Sequence, residues 1–301
     1  MFVEQARTTN QSFFTYLIGI LILVLFIVVG QLPLGQAIVN YAEGPVDPTD
    51  PVALLNVLPS NIRLILQMLP FVVGLLGLIF IARFLHQQTA AQLISSRVKI
   101  DWSRSLFAFT LWGIFTILFV AISIAADPGA YVWNFQWESF LTLLVLGLLL
   151  IPLQTSFEEI LFRGYLMQGF GVLIRNRWGP WILTSVLFGS LHFANPEIEE
   201  MGYGLMLYYI GTGFFLGLIT IVDEGLELAL GFHAANNLFS ALLISSSWTA
   251  FQTDALFIFH GKPSLWLEIG VSLIICYPLL FFIFQKKYGW DTPFKKLFRT
   301  P

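Results

Sequence analysis

The sequence predicts an all-α integral membrane protein, a bundle of about eight transmembrane helices, and three observations support this prediction. Hydrophobic residues make up 57% of the 301 residues and charged residues only 11%, about half the charged share of an ordinary soluble domain. A chain of this size folded in water could not bury so much apolar surface. The apolar residues are also grouped into separate runs whose lengths suit a bilayer. The small net charge of −3 gives no indication of a nucleic-acid partner.

A helix needs about 20 mainly apolar residues to cross the hydrocarbon core of a membrane. Eight runs approach this length: residues 13–31, 64–82, 106–126, 140–153, 178–193, 203–222, 226–245 and 265–284. The fourth run is short, and we expect its helix to continue beyond the membrane. The chain shows no internal repeat, and we divide it into three parts. These are an N-terminal part with three spans and an interfacial segment (1–137), a central helical core (138–245), and a last span with a basic tail (246–301).

The distribution of basic residues predicts how the chain is oriented in the membrane. With the N-terminus inside, eight spans place every Lys and Arg except Arg63 and Lys262 on the inner side. The predicted outer loops at 43–50 and 197–200 are acidic instead. We therefore expect a multi-pass protein of the bacterial cytoplasmic membrane with both termini in the cytoplasm. Residues 93–102, which mix basic and aromatic side chains, are expected to lie at the inner membrane interface.

Polar side chains occur in or beside three of these runs, where ionisable groups are costly and indicate functional sites. They are Glu158, Glu159 and Arg163 after the fourth run, His192 in the fifth, and His233 and Asn237 in the seventh. Helical spacing lets Glu159 pair with Arg163 and turns Glu158 towards a different neighbour. Taken singly, each group has an ordinary explanation, as charges at the water interface or as hydrogen bonds between helices.

The three groups are predicted to meet at one depth of the membrane. If the fourth and fifth helices form a hairpin that turns at Arg175, Glu158 precedes the turn by as many residues as His192 follows it. The two side chains would then lie side by side, about 25 Å from the turn. The sixth and seventh helices turn at residues 223–225, which places His233 about 12 Å from that end. Packing alone does not explain why three polar groups converge.

The residue types in these groups suit the activation of water. No serine or cysteine stands beside an obvious base, and a phosphate-binding loop, a dinucleotide fingerprint and an HExxH zinc motif are all missing from the sequence. A carboxylate in a poorly solvated cavity can act as a general base, with an imidazole holding the water. A second imidazole and an amide can donate to the oxyanion of a tetrahedral intermediate, each donor contributing about 3–4 kcal/mol.

The motifs Glu-Glu-x-x-x-Arg, Phe-x-x-x-His and His-x-x-x-Asn, complete and in this order, resemble those of the CPBP family of intramembrane proteases. That family includes the type II CAAX prenyl endopeptidases and bacterial bacteriocin-processing and self-immunity proteins. The resemblance covers about residues 138–245 and implies an intramembrane endopeptidase. By position it makes Glu158 the general base, His192 its partner, His233 and Asn237 the oxyanion site, and Glu159 with Arg163 the pair that orients Glu158.

The resemblance leaves the cofactor and the substrate open. The family is classed with metalloproteases, so Glu158, His192 and His233 could hold zinc or another divalent ion, while the same residues also suit a metal-free glutamate mechanism. The expected partners are the lipid bilayer and a peptide or membrane-protein substrate, either a prenylated CAAX peptide or a leader peptide. Residues 223–227, with three acids, are expected to form a solvated turn that the helix dipole favours.

Two other classes of function compete with a protease. In a proton-coupled transporter the buried carboxylate and imidazoles would form a proton relay, although transporters usually contain paired repeats that this sequence lacks. A non-catalytic immunity or scaffold protein could retain the fold without chemistry. Such a protein would be expected to have lost motif residues, whereas every motif position is filled here.

Overall fold

The computed structural model describes residues 2–5, 12–47 and 50–298, most of which are helical. The α-helices are α1 (Phe13–Tyr41), α2 (Pro51–Asn56), α3 (Ser60–Phe84), α4 (Ala90–Ile94), α5 (Trp102–Ala126), α6 (Trp137–Glu159), α7 (Met167–Ile174), α8 (Trp178–Ser190), α9 (Glu197–Met201), α10 (Met206–Asp223), α11 (Glu227–Leu243), α12 (Leu265–Ile269), α13 (Tyr277–Tyr288) and α14 (Pro293–Phe298). π-Helical turns at Ile160–Leu166 and Gly270–Cys276 join α6 to α7 and α12 to α13.

Three short strands lie between the helices. They are β1 (Tyr131–Trp133), β2 (Ile244–Ser245) and β3 (Phe257–Phe259). β3 is the central strand, antiparallel to β1 with Val132 opposite Ile258, and parallel to β2. This sheet joins the segment before α6 to the segment that follows α11. Both of these helices carry residues of the predicted site.

Six helices in the described part of the chain are long and apolar enough to cross a membrane. They are Phe13–Tyr41, Ser60–Phe84, Trp102–Ala126, Trp137–Ile174, Tyr203–Asp223 and Leu265–Tyr288. The predicted number of about eight is therefore not confirmed. The two remaining predicted spans correspond to α8 and α11, with 13 and 17 residues. The fourth predicted run continues as one helix to Ile174, as its short apolar stretch suggested.

Helix α11 lies at the centre of the bundle, where it packs closely against α5 and α6. Small residues make this approach possible. A Cβ atom added to Gly231 would lie 1.9 Å from the carbonyl oxygen of Ser105, so α11 and α5 meet backbone to backbone. Ala234 and Ala235 are also buried in this helix. Most of α11 is consequently shielded by protein, which explains how it can carry polar side chains at this depth.

Both predicted hairpin turns are present. α7 ends at Ile174, Arg175 adopts a left-handed conformation with φ 59°, and α8 begins at Trp178. Likewise, α10 ends at Asp223, and Glu224 has φ 60° before α11 begins. A left-handed residue at this position ends a helix by satisfying its last carbonyl groups.

The acidic turn between α10 and α11 is buried, so the expectation of a solvated turn is wrong. Asp223 and Glu227 are at most 4% exposed. Arg97 lies 3.0 Å from a carboxylate oxygen of each, and Arg104 lies 2.6 Å from Asp223. Trp290 also donates to Asp223. Arg97, one of the two basic residues of the predicted interfacial segment, is thus directed into the protein, where it neutralises buried acids.

The two terminal segments meet at these hairpin turns. The backbone nitrogen of Phe2 donates to Glu224, and Arg177 lies 2.7 Å from Glu4 and 3.2 Å from Glu224. Arg177 also donates to the carbonyl oxygen of Lys296. Residues from both ends of the described chain therefore contact one face of the molecule.

A buried hydrogen-bonded cluster supports the π-helical turn. The hydroxyl of Tyr165 donates to the carbonyl oxygen of Tyr16, 3.2 Å away, and His86 Nε2 lies 2.8 Å from the same hydroxyl. Because the Tyr165 hydroxyl has one proton, which it donates to Tyr16, His86 Nε2 is the donor in the second bond. Gly19 leaves the space that this hydroxyl occupies. The cluster holds the turn that follows Glu159.

His86 is expected to make the protein less stable at mildly acidic pH. It lies beyond the end of α3, and burial lowers the pKa of its imidazole from 6.5 to about 4. Between these values the unfolded state binds the proton and the folded state does not, so stability falls as pH falls through this window. The expected loss is about 3 kcal/mol.

The measurement is the thermal midpoint in detergent between pH 7 and pH 4, compared with His86→Gln. Glutamine can still donate to Tyr165 but does not titrate, so this variant should lose part of the pH dependence. Identical pH profiles for the two proteins would contradict the assignment of a neutral buried imidazole.

Candidate active site

The Glu-Glu-x-x-x-Arg motif lies where α6 passes into the π-helical turn. Glu159 and Arg163 are fully buried, and Glu159 Oε1 lies 2.8 Å from Arg163 Nη1. The guanidinium also donates to the carbonyl oxygen of Gly213, 3.4 Å away, and stands 4.2 Å from the centre of the Phe188 ring. Burial rules out the interpretation of these charges as residues at the water interface. A charge this far from water requires such partners.

His233 lies between the two glutamates. Its Nδ1 is 2.7 Å from Glu159 Oε1, and its Nε2 is 3.4 Å from Glu158 Oε2. Because the Glu159 carboxylate is neutralised by Arg163, we assign it as ionised and therefore as the acceptor of the Nδ1 proton. His233 Nε2 and Glu158 then both present lone pairs to one another, unless one proton lies between them. One proton can consequently be shared between His233 Nε2 and Glu158 Oε2.

Glu158 is the most accessible of these acids. Its side chain is 15% exposed, whereas that of Glu159 is fully buried. Consecutive residues on a helix point about 100° apart, and the two carboxylates accordingly approach different nitrogens of the same imidazole. Glu158 therefore combines a proton-accepting oxygen with partial access from outside the cluster.

His192 belongs to a 3₁₀ turn, Leu191–Ala194, at the end of α8. Its Nδ1 donates to the carbonyl oxygen of Phe188, 2.9 Å away, which leaves Nε2 as the acceptor in the neutral ring. The ring stacks on Tyr209 with centroids 4.3 Å apart. The Phe188 ring lies 4.9 Å from His192 and 5.9 Å from His233. The predicted convergence of the two histidines is therefore present, with Phe188 touching both.

The expected direct neighbour of Glu158 differs from the one observed. We expected His192 beside it, but among the residues that the structure describes no hydrogen bond or ion pair joins these two side chains. His233 occupies that place instead. The equal spacing from the hairpin turn does not specify the direction in which the His192 side chain points, and the sequence pattern did not indicate the 3₁₀ turn to which His192 belongs.

Asn237 is held by two further amides. Its Nδ2 donates to Gln154 Oε1 at 3.0 Å, and its Oδ1 accepts from Asn236 Nδ2 at 3.1 Å. Trp112 Nε1 in turn donates to Asn236 Oδ1 at 3.1 Å. Sequence reasoning missed Gln154, although it stands one turn before Glu158 on the same helix face. Trp112 has no comparable local signal, since α5 approaches α11 only in the folded chain.

The described residues do not provide a three-ligand metal site. No group of three His, Cys, Asp or Glu side chains in residues 2–5, 12–47 and 50–298 is arranged to hold a metal ion. Structural and catalytic zinc sites use at least three protein ligands at about 2 Å. Glu158, His192 and His233, the zinc ligands that the resemblance suggested, therefore do not fit such a site in this arrangement.

The comparisons with known proteins agree with the resemblance. Residues 137–239 match the family model described as "Type II CAAX prenyl endopeptidase Rce1-like". The chain is also 34% identical over 190 residues to a Bacillus subtilis (strain 168) protein described as "Uncharacterized protein YyaK". That alignment covers 63% of this chain, which spans 61% of the relative's length. No solved structure matches the chain significantly. The CPBP resemblance is thereby confirmed for the segment that holds all three motifs.

Proposed function

We propose that this chain, which carries an Rce1-like domain at residues 137–239, is an intramembrane endopeptidase with Glu158 as its general base. The observation that carries the proposal is the buried contact of His233 with both Glu158 and Glu159, within a matched protease domain. A packing role alone would not require two carboxylates, an imidazole and a guanidinium to share one site.

The side chains suggest a sequence of proton transfers for hydrolysis. Glu158 removes a proton from water, assisted by His192, and the water oxygen attacks the carbonyl carbon of the substrate peptide. The abstracted proton then lies between Glu158 and His233, which makes His233 Nε2 a donor. His233 and Asn237 can therefore donate hydrogen bonds to the oxyanion of the intermediate. The same proton passes to the leaving amine as the C–N bond breaks.

Glu159 and Arg163 act in this proposal as supports. The ion pair fixes the carboxylate that accepts from His233 Nδ1, and this hydrogen bond holds the imidazole with its Nε2 towards Glu158. A hydrogen bond to one ring nitrogen determines which nitrogen carries the proton. The pair would thus set the tautomer of His233 without touching the substrate.

The contacts of the two terminal segments also bear on the membrane topology of the chain. If α8 and α11 also cross, the chain has eight crossings, an even number that agrees with both terminal segments meeting at one face. That face carries Arg175 and Arg177, so we propose that it is cytoplasmic. Residues 1–137 and 246–301 would then form the surrounding spans, and residues 138–245 the catalytic core. The substrate would be a CAAX-type or leader-type peptide presented from the cytoplasm.

The test is peptide cleavage by purified protein in nanodiscs, with a library drawn from membrane-protein segments and prenylated C-terminal peptides. Products that form with the wild type and are missing with Glu158→Gln would support the proposal and reveal the preferred substrate. If both folded proteins leave the whole library intact, the protease assignment fails. Proton flux into proteoliposomes would then test the transporter alternative.

A separate experiment tests whether peptide cleavage depends on a metal ion. Because Glu158, His192 and His233 do not fit a three-ligand site, we expect cleavage to persist after dialysis against 1,10-phenanthroline. The control is a zinc protease of known sensitivity treated in the same detergent. Loss of activity that zinc restores would contradict this expectation, since the site would then have to rearrange around a metal ion.

A further inference from the structure

Four side chains form a continuous hydrogen-bonded chain that ends at Gln154, beside Glu158. Trp112 donates to Asn236 Oδ1, and Asn236 Nδ2 donates to Asn237 Oδ1, each over 3.1 Å. Asn237 Nδ2 then donates to Gln154 Oε1 over 3.0 Å. Gln154 stands one helical turn before Glu158, and the two side chains also interact. The chain crosses three helices, from α5 through α11 to α6.

The first residue of this chain determines the direction of every later bond. A side-chain amide can be flipped, because its oxygen and nitrogen ends have nearly the same shape. An indole N–H can only donate, so the oxygen end of Asn236 must face Trp112. The nitrogen end of Asn236 must then face Asn237, and the nitrogen end of Asn237 must face Gln154. The nitrogen end of Gln154 is left for Glu158.

The two ends of this chain are shielded from water, whereas Asn236 and Asn237 between them are partly exposed. Trp112 and Gln154 are both buried, and the indole packs on Phe232 with ring centroids 4.5 Å apart. The contact between α5 and α11 is also rigid, since Gly231 allows the two backbones to touch. Water is therefore poorly placed to replace the bond donated by the Trp112 indole, and hydrogen bonds at buried sites are stronger than at the surface.

We propose that Trp112 is a positioning residue whose indole N–H sets the orientation of the amides beside the active site. This inference rests on the proposed endopeptidase function. With the amides in this direction, Asn237 offers its remaining N–H group to an oxyanion, and Gln154 offers one to the base Glu158. In the opposite direction Asn237 would present its oxygen, which would repel the oxyanion.

The experiment compares Trp112→Phe with a matched control, Trp181→Phe. Phenylalanine retains an aromatic ring but has no N–H group. Trp181 also donates an indole hydrogen bond in a partly buried position, to the carbonyl oxygen of Phe214 at 2.9 Å, and none of the hydrogen bonds of the amide chain involves it. Trp112→Phe is expected to lower kcat about tenfold with KM within about twofold, because roughly one hydrogen bond is lost in the transition state. Trp181→Phe should keep wild-type kcat.

A double-variant cycle separates positioning from general loosening of the core. If Trp112 acts only through Asn236, Trp112→Phe combined with Asn236→Leu should be no slower than the slower single variant. If the two substitutions instead lower kcat independently, so that their effects multiply in the double variant, the proposal is overturned. A kcat for Trp112→Phe within twofold of wild type, measured on protein with an unchanged thermal midpoint, would also overturn it.

A second readout does not depend on activity. In protein labelled with ¹⁵N-asparagine, Trp112→Phe should move the side-chain amide resonances of both Asn236 and Asn237, and Trp181→Phe should leave them in place. Unmoved resonances would overturn the chain of hydrogen bonds whatever the kinetics show. If wild type and Glu158→Gln cleave nothing, the proposed function fails, while the resonances still decide whether Trp112 orients the amides.

Discussion

Replacement of Glu158 by glutamine is expected to lower kcat about 10³-fold or more while the protein stays folded. Glutamine has nearly the shape of glutamate and can still hydrogen-bond to Gln154 and His233. It cannot accept the proton of water, however, and no proton would then reach the position between residues 158 and 233. Both the activation of water and the donor at His233 Nε2 depend on that proton. The loss should appear in kcat, with KM changed little.

Glu138→Gln is the matched control for this prediction. It makes the same substitution in the same helix, α6, but in the exposed first turn, far along the helix from the site. Single-turnover cleavage of one library substrate by the two variants gives the comparison, with thermal midpoints measured alongside. We expect wild-type rates from Glu138→Gln. A Glu158→Gln variant that kept a tenth of the wild-type rate would require a different general base.

The hairpins and the three motifs could be predicted because their signals are local. Polar residues between apolar runs gave the turns at 175–177 and 223–225, and the spacing of four residues gave the contact of Glu159 with Arg163. Both kinds of signal depend only on neighbours within a few turns of helix. Nothing outside those segments is needed to place these features.

The residues that were missed have partners far away in the sequence. Asp223 was interpreted as part of a solvated turn, because its partners Arg97 and Arg104 stand more than 100 residues earlier. Trp112 likewise contacts Asn236 across 124 residues. Periodicity identifies the faces of helices but does not say which faces will meet. The sequence therefore indicated the catalytic candidates but not the groups that hold them in place.

The second large effect is expected from Arg163→Met, which should lower the free energy of unfolding by about 3–5 kcal/mol. The methionine fills much of the same volume, but the Glu159 carboxylate is left fully buried with only His233 as partner. An unpaired charge at this depth is far more costly than a missing ion pair. The double variant Arg163→Met/Glu159→Gln removes the stranded charge, while the glutamine oxygen can still accept from His233 Nδ1. We therefore expect the double variant to be more stable than the single one.

Unfolding in mixed detergent and SDS, followed by circular dichroism, measures these differences, with Arg83→Met as the matched control. Arg83 is exposed in the last turn of α3, so this control should stay within about 0.5 kcal/mol of wild type. A double variant no more stable than Arg163→Met would mean that the guanidinium matters mainly through its contacts with Gly213 and the Phe188 ring. Recovery of stability without recovery of cleavage would instead show that Arg163 neutralises Glu159 for folding and that the ionised pair is needed to orient His233 for catalysis.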